Sequence, residues 1–178
     1  RGSTLIGNEA VGQGLYSTVI GNHSQVLANE KVLATGLFGR QFVAQNAFTN
    51  ILGAYNTVGD TATNKTFNGV AVTVVGAANK VKESNGAFIA GYGNSVTNSY
   101  KDSIDVSGIV SSSLVDNTEA LADILADSKT ELGQTGVIGA VNKLDNSSNT
   151  LVMGMRNDVN LTSKSSVMGF TQTAQNLS

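Results

Sequence analysis

The chain has 178 residues, 40% apolar and only 13% charged, with one histidine and no proline, cysteine or tryptophan. A disordered tail is excluded, because there is enough apolar material for one domain with its own core, and the missing cysteines exclude a disulfide scaffold and a thiolate metal site. The net charge of −2, with no run of four Lys or Arg, argues against nucleic acid as the main partner, because phosphate binding needs clustered cations.

Arg1-Gly2-Ser3 reads as an expression scar, and no signal peptide or apolar run near the ~20 residues of a membrane span follows it. From Leu5-Ile6-Gly7 onward a pattern of two apolar residues and a glycine returns at Gly21, Gly36, Gly53, Gly76, Gly91, Gly139, Gly154 and Gly169. Five of the eight spacings are fourteen or fifteen positions, so a unit of that length repeats. Two residues before the glycine stand Leu5, Val19, Ala34, Ile51, Val74, Ile89, Val137, Val152 and Val167. Immediately before it stand Ile6, Ile20, Thr35, Leu52, Val75, Ala90, Ile138, Met153 and Met168. Three residues after it, five successive units carry Asn56, Asn79, Asn94, Asn142 and Asn157.

Such a unit holds two strands of about five residues and two tight turns, one coil of a narrow β-solenoid. Nine coils about 4.8 Å apart predict a rod of about 43 Å. The Asn column belongs at a turn, where Asn tolerates left-handed backbone and bonds to its copy in the next coil. Neighbouring strand residues point to opposite faces, so two adjacent apolar columns need burial on both faces. One fills the coil; the other calls for a second copy of the chain. Ile138→Asp is therefore expected to abolish folding or assembly. The second strand alternates apolar and polar residues, as in Asn94-Ser95-Val96-Thr97-Asn98, and can keep one wet face.

Departures from the repeat come in chain order. Gly12-Gln13-Gly14 looks like part of a phosphate loop, as does Gly91-Tyr92-Gly93, but neither opens a helix pattern. His23 lies in a predicted turn between Asn22 and Ser24 with no evident partner, which excludes Ser/His/Asp and zinc-type chemistry within one chain. An insertion after Gly36 carries Phe38, Arg40 and Phe42, residue types favoured in recognition hot spots; filling an assembly centre or capping a coil is the plainer role. A second, from Asp60 to Phe67, is a polar surface loop and, as a loop on a rigid scaffold, a candidate for binding. Residues 99–135 break the register, with Val106-Ser107-Gly108 as a degenerate coil and a helix over 116–132. Asp116 and Glu119 form its capping box, Leu121, Ile124, Leu125 and Leu132 its apolar stripe, and Gly133 its stop. The opposite face carries Glu119, Asp123, Asp127 and Glu131 at four-residue spacing. That is the solvated side of a helix covering the coil, or an acidic surface for a basic partner. Coils resume from 136 to 178.

Segments such as Ser17-Thr18-Val19-Ile20-Gly21-Asn22 and Val137-Ile138-Gly139-Ala140-Val141-Asn142 resemble the head repeats of trimeric autotransporter adhesins, the YadA-like family. The resemblance covers most of the chain except residues 99–135. It implies an all-β, left-handed parallel β-roll that assembles as a homotrimer. It also implies export to the bacterial cell surface, with an outer-membrane anchor outside these residues. The implied function is adhesion to a host cell-surface or matrix protein, without catalysis, cofactor, metal or membrane contact by this segment. The Ala-rich strands of that family are largely Val here, and its neck motif has no good copy. Phe38, Arg40, Phe42, Glu119, Asp123, Asp127 and Glu131 are the candidate receptor-binding residues. A structural spacer or tail-fibre segment is the alternative, against which the 48-residue gap between Gly91 and Gly139 counts. A hexapeptide-repeat acyltransferase is disfavoured, because its six-residue repeat does not match the spacing here and its chemistry needs a supported histidine.

Overall fold

A computed structural model describes residues 3–14, 16–27, 33–35, 41–43, 46–59, 69–102, 114–126 and 133–178; for 33–35, 41–43, 114–117 and 125 it describes the backbone alone. The chain runs through short strands in pairs, β1 (Thr4–Ile6) with β2 (Val11–Gly12) and β3 (Thr18–Ile20) with β4 (Gln25–Val26). After β5 (Leu33–Thr35) and β6 (Gln41–Val43) come β7 (Asn50–Ala54) with β8 (Thr57–Val58), β9 (Thr73–Ala77) with β10 (Lys80–Lys82), and β11 (Phe88–Tyr92) with β12 (Ser95–Thr97). One helix, α1 (Leu114–Ala126), precedes β13 (Thr135–Ala140) with β14 (Lys143–Asp145), β15 (Thr150–Met155) with β16 (Asp158–Asn160), and β17 (Ser166–Phe170) with β18 (Thr173–Gln175). First strands of each pair form one eight-stranded sheet and second strands another. Every neighbouring pair within these two sheets is parallel. The molecule is mostly β, a parallel solenoid of eight coils, about 38 Å long at ~4.8 Å per coil.

Eight coils form, not nine, because the unit at Gly36 is not one of them. β3 pairs directly with β7, while β5 pairs with β6 in a separate antiparallel hairpin. The unit departs from the coils that form: Thr35 breaks the apolar pair, and Gln41 sits where the second strand should turn an apolar residue inward. Nor does a coil intervene in the long gap. β11 hands its register straight to β13, Ile89 opposite Val137, and Val106-Ser107-Gly108 lies outside the described residues.

Between the two sheets lies a thin core. Val19, Ile51, Val74, Ile89, Val137 and Val152 enter from the first sheet, and Val26, Val58, Val81, Val96, Leu144 and Val159 from the second; all are at most 2% exposed. The β-branched shapes that dominate the set suit a pleated surface pressed from both sides.

The glycines mark the closest backbone approach. Gly91 has φ +127, and a Cβ there would overlap the carbonyl oxygen of Gly139 in the next coil. No other residue meets both demands. Beside this column runs the Asn ladder, fully buried. The Asn79 Nδ2 donates to Asn56 Oδ1 at 3.0 Å and to the Gly91 carbonyl at 2.8 Å, and Asn94, Asn142 and Asn157 repeat the pattern. The expected bonding between copies is present. The expected left-handed geometry is not on the Asn but one residue earlier, at Tyr55, Ala78, Val141 and Arg156. The backbone turns before the Asn so that its side chain can point inward and bond.

A second ladder closes the opposite corner. The backbone N–H of Ser99 donates to Ser84 Oγ, that of Ser147 to Ser99 Oγ, and that of Thr162 to Ser147 Oγ, at 3.1–3.3 Å. These buried hydroxyls are thus satisfied along the stack, whereas Thr135 Oγ1 and Asn160 Oδ1 are buried without a hydrogen-bond partner among the described residues.

Candidate functional site

One face of the solenoid remains uncovered. The column immediately before each glycine points outward from the first sheet: Ile6, Ile20, Leu52, Val75, Ile138, Met153 and Met168 are 37–64% exposed. The inward column is the one two residues before the glycine. Ile138 is therefore an outward residue, and Val137 the one inside the coil.

This face changes along the rod. In the first two coils the apolar column is one residue wide, flanked by Thr4 and Asn8, then by Thr18 and Asn22. From β11 onward it spreads across the strand, as Phe88-Ala90-Tyr92, Gly136-Ile138-Ala140, Leu151-Met153-Met155 and Ser166-Met168-Phe170. None of these residues carries a charge. Ten large apolar side chains on the face, about half exposed, present roughly 800 Å², the share one partner contributes to a standard interface. Contiguous apolar surface of this size marks an interaction site.

The second sheet turns a polar face outward. Thr97 Oγ1 donates to Asp145 Oδ1 at 2.6 Å, and Lys143 Nζ lies 3.9 Å from Asp158 Oδ2 between exposed side chains. Pairs of that kind contribute little stability.

His23 has partners that its sequence neighbours do not reveal. Its Nδ1 lies 2.6 Å from Glu9 Oε2, and its ring stacks on Tyr55, centroids 4.8 Å apart. Glu9, His23 and Tyr55 hold the same left-handed corner in three successive coils. The common offset of two residues after the glycine was the signal available. On the other side, Tyr16 stacks on Phe48 at 5.6 Å. Both ring pairs bridge the second and third coils, across the insertion that carries the hairpin.

The residues expected to bind a receptor are only partly placed. Glu119 and Asp123 are exposed and one turn apart on α1. Asp127 and Glu131 lie outside the described residues, as do Phe38, Arg40 and the loop 60–67. Phe42 lies in β6 opposite Ala34, with only its backbone described. The helix begins at Leu114, so Asp116 is its third residue rather than its cap. No described side chain of α1 is buried; Leu121 and Ile124 are half-buried. Leu125 and Leu132, the other two residues of the expected apolar stripe, have no described side chain.

Among the described residues no three His, Cys, Asp or Glu side chains converge on a metal-sized site, and no helix is long and apolar enough to cross a membrane. A groove of about 590 Å³ runs beside Phe88, Gly136, Leu151 and Ser166 at the edge of the apolar face. Compared with protein-family profiles, curated proteins and solved structures, the chain matches none.

Proposed function

We propose that this chain is the head of a trimeric bacterial surface adhesin of the YadA-like kind, a left-handed parallel β-roll in which three copies meet along the outward face of the first sheet. The observation that carries the reading is the uncharged apolar face from Ile6 to Met168. A protein with this face open to water would associate, and in-register columns repeating every coil suit a symmetric contact with identical copies.

With the first sheets inward, the polar second sheets and the insertions form the exterior. Loops and excursions on a rigid scaffold are where binding concentrates. The acidic side of α1, with Glu119 and Asp123 exposed, is the surface assigned to a basic host receptor or matrix protein. The segment acts by binding alone, at the cell surface, held by an anchor outside these residues.

Light scattering after gel filtration tests the assembly. One chain has a mass of 18.3 kDa, and the symmetric trimer has three times that mass. A stable monomer at micromolar concentration refutes the reading. A trimer that captures no host-surface protein refutes the adhesive half and leaves a fibre or spacer segment.

A further inference from the structure

All three methionines of the chain are Met153, Met155 and Met168, and the fold brings them to one spot. Met153 and Met155 flank Gly154 on β15, so both side chains leave the same face of the sheet. Met168, on β17, is the register partner of Met153 in the next coil. The fourth corner of the block is Phe170, register partner of Met155. Met153 is 37% exposed and Met168 is 64% exposed, with Met155 between buried and exposed.

We propose that Met153, Met155 and Met168 form a three-thioether site for a soft monovalent cation, copper(I) by its chemistry. Thioethers are neutral, soft ligands that hold copper(I) and discriminate against hard or divalent ions. The strands set the spacing, about 4.8 Å between coils and about 6.7 Å between alternate residues of one strand. An unbranched side chain with three rotatable bonds spans such gaps, so three sulfurs can close on one ion. Phe170, the register partner of Met155, is the fourth residue of the block and adds an aromatic side chain next to the three thioethers. No carboxylate or imidazole lies in the block, so nothing there recruits a hard metal. Each chain carries the full ligand set on the face that the proposed trimer closes, so in the trimer the ion sits at the seam between copies, and in a monomer the same three side chains still hold it.

Silver(I), the air-stable analogue, is the probe, titrated as its nitrate in chloride-free buffer into the whole chain. Calorimetry gives stoichiometry, and the methyl signals of 13C-methionine report the ligands. One silver per chain is expected, with all three methyl signals shifting and affinity unchanged from pH 6 to 8, because a thioether has no proton to lose. Met153→Leu, Met155→Leu and Met168→Leu should each weaken binding by about tenfold or more, and His23→Gln should not. No binding, binding that survives Met168→Leu, or binding lost in His23→Gln overturns the site. The mass of the same sample separates this outcome from that of the assembly: a monomer that binds silver sustains the site, and a trimer that does not refutes it.

Discussion

Replacing Asn94 by Ala tests what joins the coils. Asn94 is 1% exposed. Its Nδ2 donates to Asn79 Oδ1 at 3.0 Å and to the Gly139 carbonyl at 2.9 Å. Its Oδ1 accepts from the backbone N–H of Asn142 at 3.0 Å and from Asn142 Nδ2 at 3.1 Å. Truncation removes all four bonds. It leaves two backbone groups, the Asn142 N–H and the Gly139 carbonyl, without these partners where little water can reach. An orphaned buried group costs about 1–3 kcal/mol, so the expected loss is about 2–6 kcal/mol, a large fraction of the ~5–15 kcal/mol of an ordinary domain. Asn22→Ala is the control: its Oδ1 accepts one exposed bond from the Asn8 N–H at 2.9 Å, and it should cost under about 1 kcal/mol. Urea unfolding followed by circular dichroism measures both. If Asn94→Ala costs no more than Asn22→Ala, the ladder is not what holds the coils together.

Gly91→Ala should yield no folded protein, because φ +127 and the Gly139 carbonyl both forbid a Cβ, whereas Gly93→Ala, with nothing nearer than Val141 Cγ2 at 3.6 Å, should lose only about 1–2 kcal/mol for its left-handed backbone; thermal melts distinguish them. Val137→Asp and Ile138→Asp, one residue apart, should fail differently. The first places a charge in the core and abolishes the β spectrum, while the second keeps it and lowers the mass in solution from trimer to monomer. Deleting 116–132 should leave the coil stack and its assembly intact but change capture of host-surface protein, measured by pull-down.

The repeat was legible in the sequence because a solenoid writes its contacts at fixed intervals. Val137 and Gly139 occupy the same environments as Val152 and Gly154, so the demand for inward branching and a bare Cα recurs once per coil. The false unit at Gly36 shows where that logic stops. A glycine after two uncharged residues is too short a pattern, and only Thr35 and the polar Gln41 betray it. The Ser84, Ser99, Ser147 and Thr162 column is equally periodic, but it does not stand out in the sequence, because hydroxyl residues are common in this chain. The left-handed corners were hidden for a different reason. Tyr55, Val141 and Leu161 hold φ near +50° to +57°, against their intrinsic preference. The ladder bonds on either side impose that backbone, and no residue type announces it. His23 found Glu9 and Tyr55 only once the coils were stacked, since the partners lie 14 and 32 positions away.

The ladders also settle how the rod bears load. Strands lie across its axis, and the bonds between coils lie along it. Tension applied between the first and last coils therefore meets one layer of bonds at a time, and the stack peels instead of shearing. Each ordinary layer, such as that between β13 and β15, releases one coil's length of chain, about 50 Å when extended. Parting the layer between β11 and β13 separates coils joined by the 48 positions from Gly91 to Gly139, about 160 Å of chain at full extension, so the largest single step in extension falls in the middle of the rod.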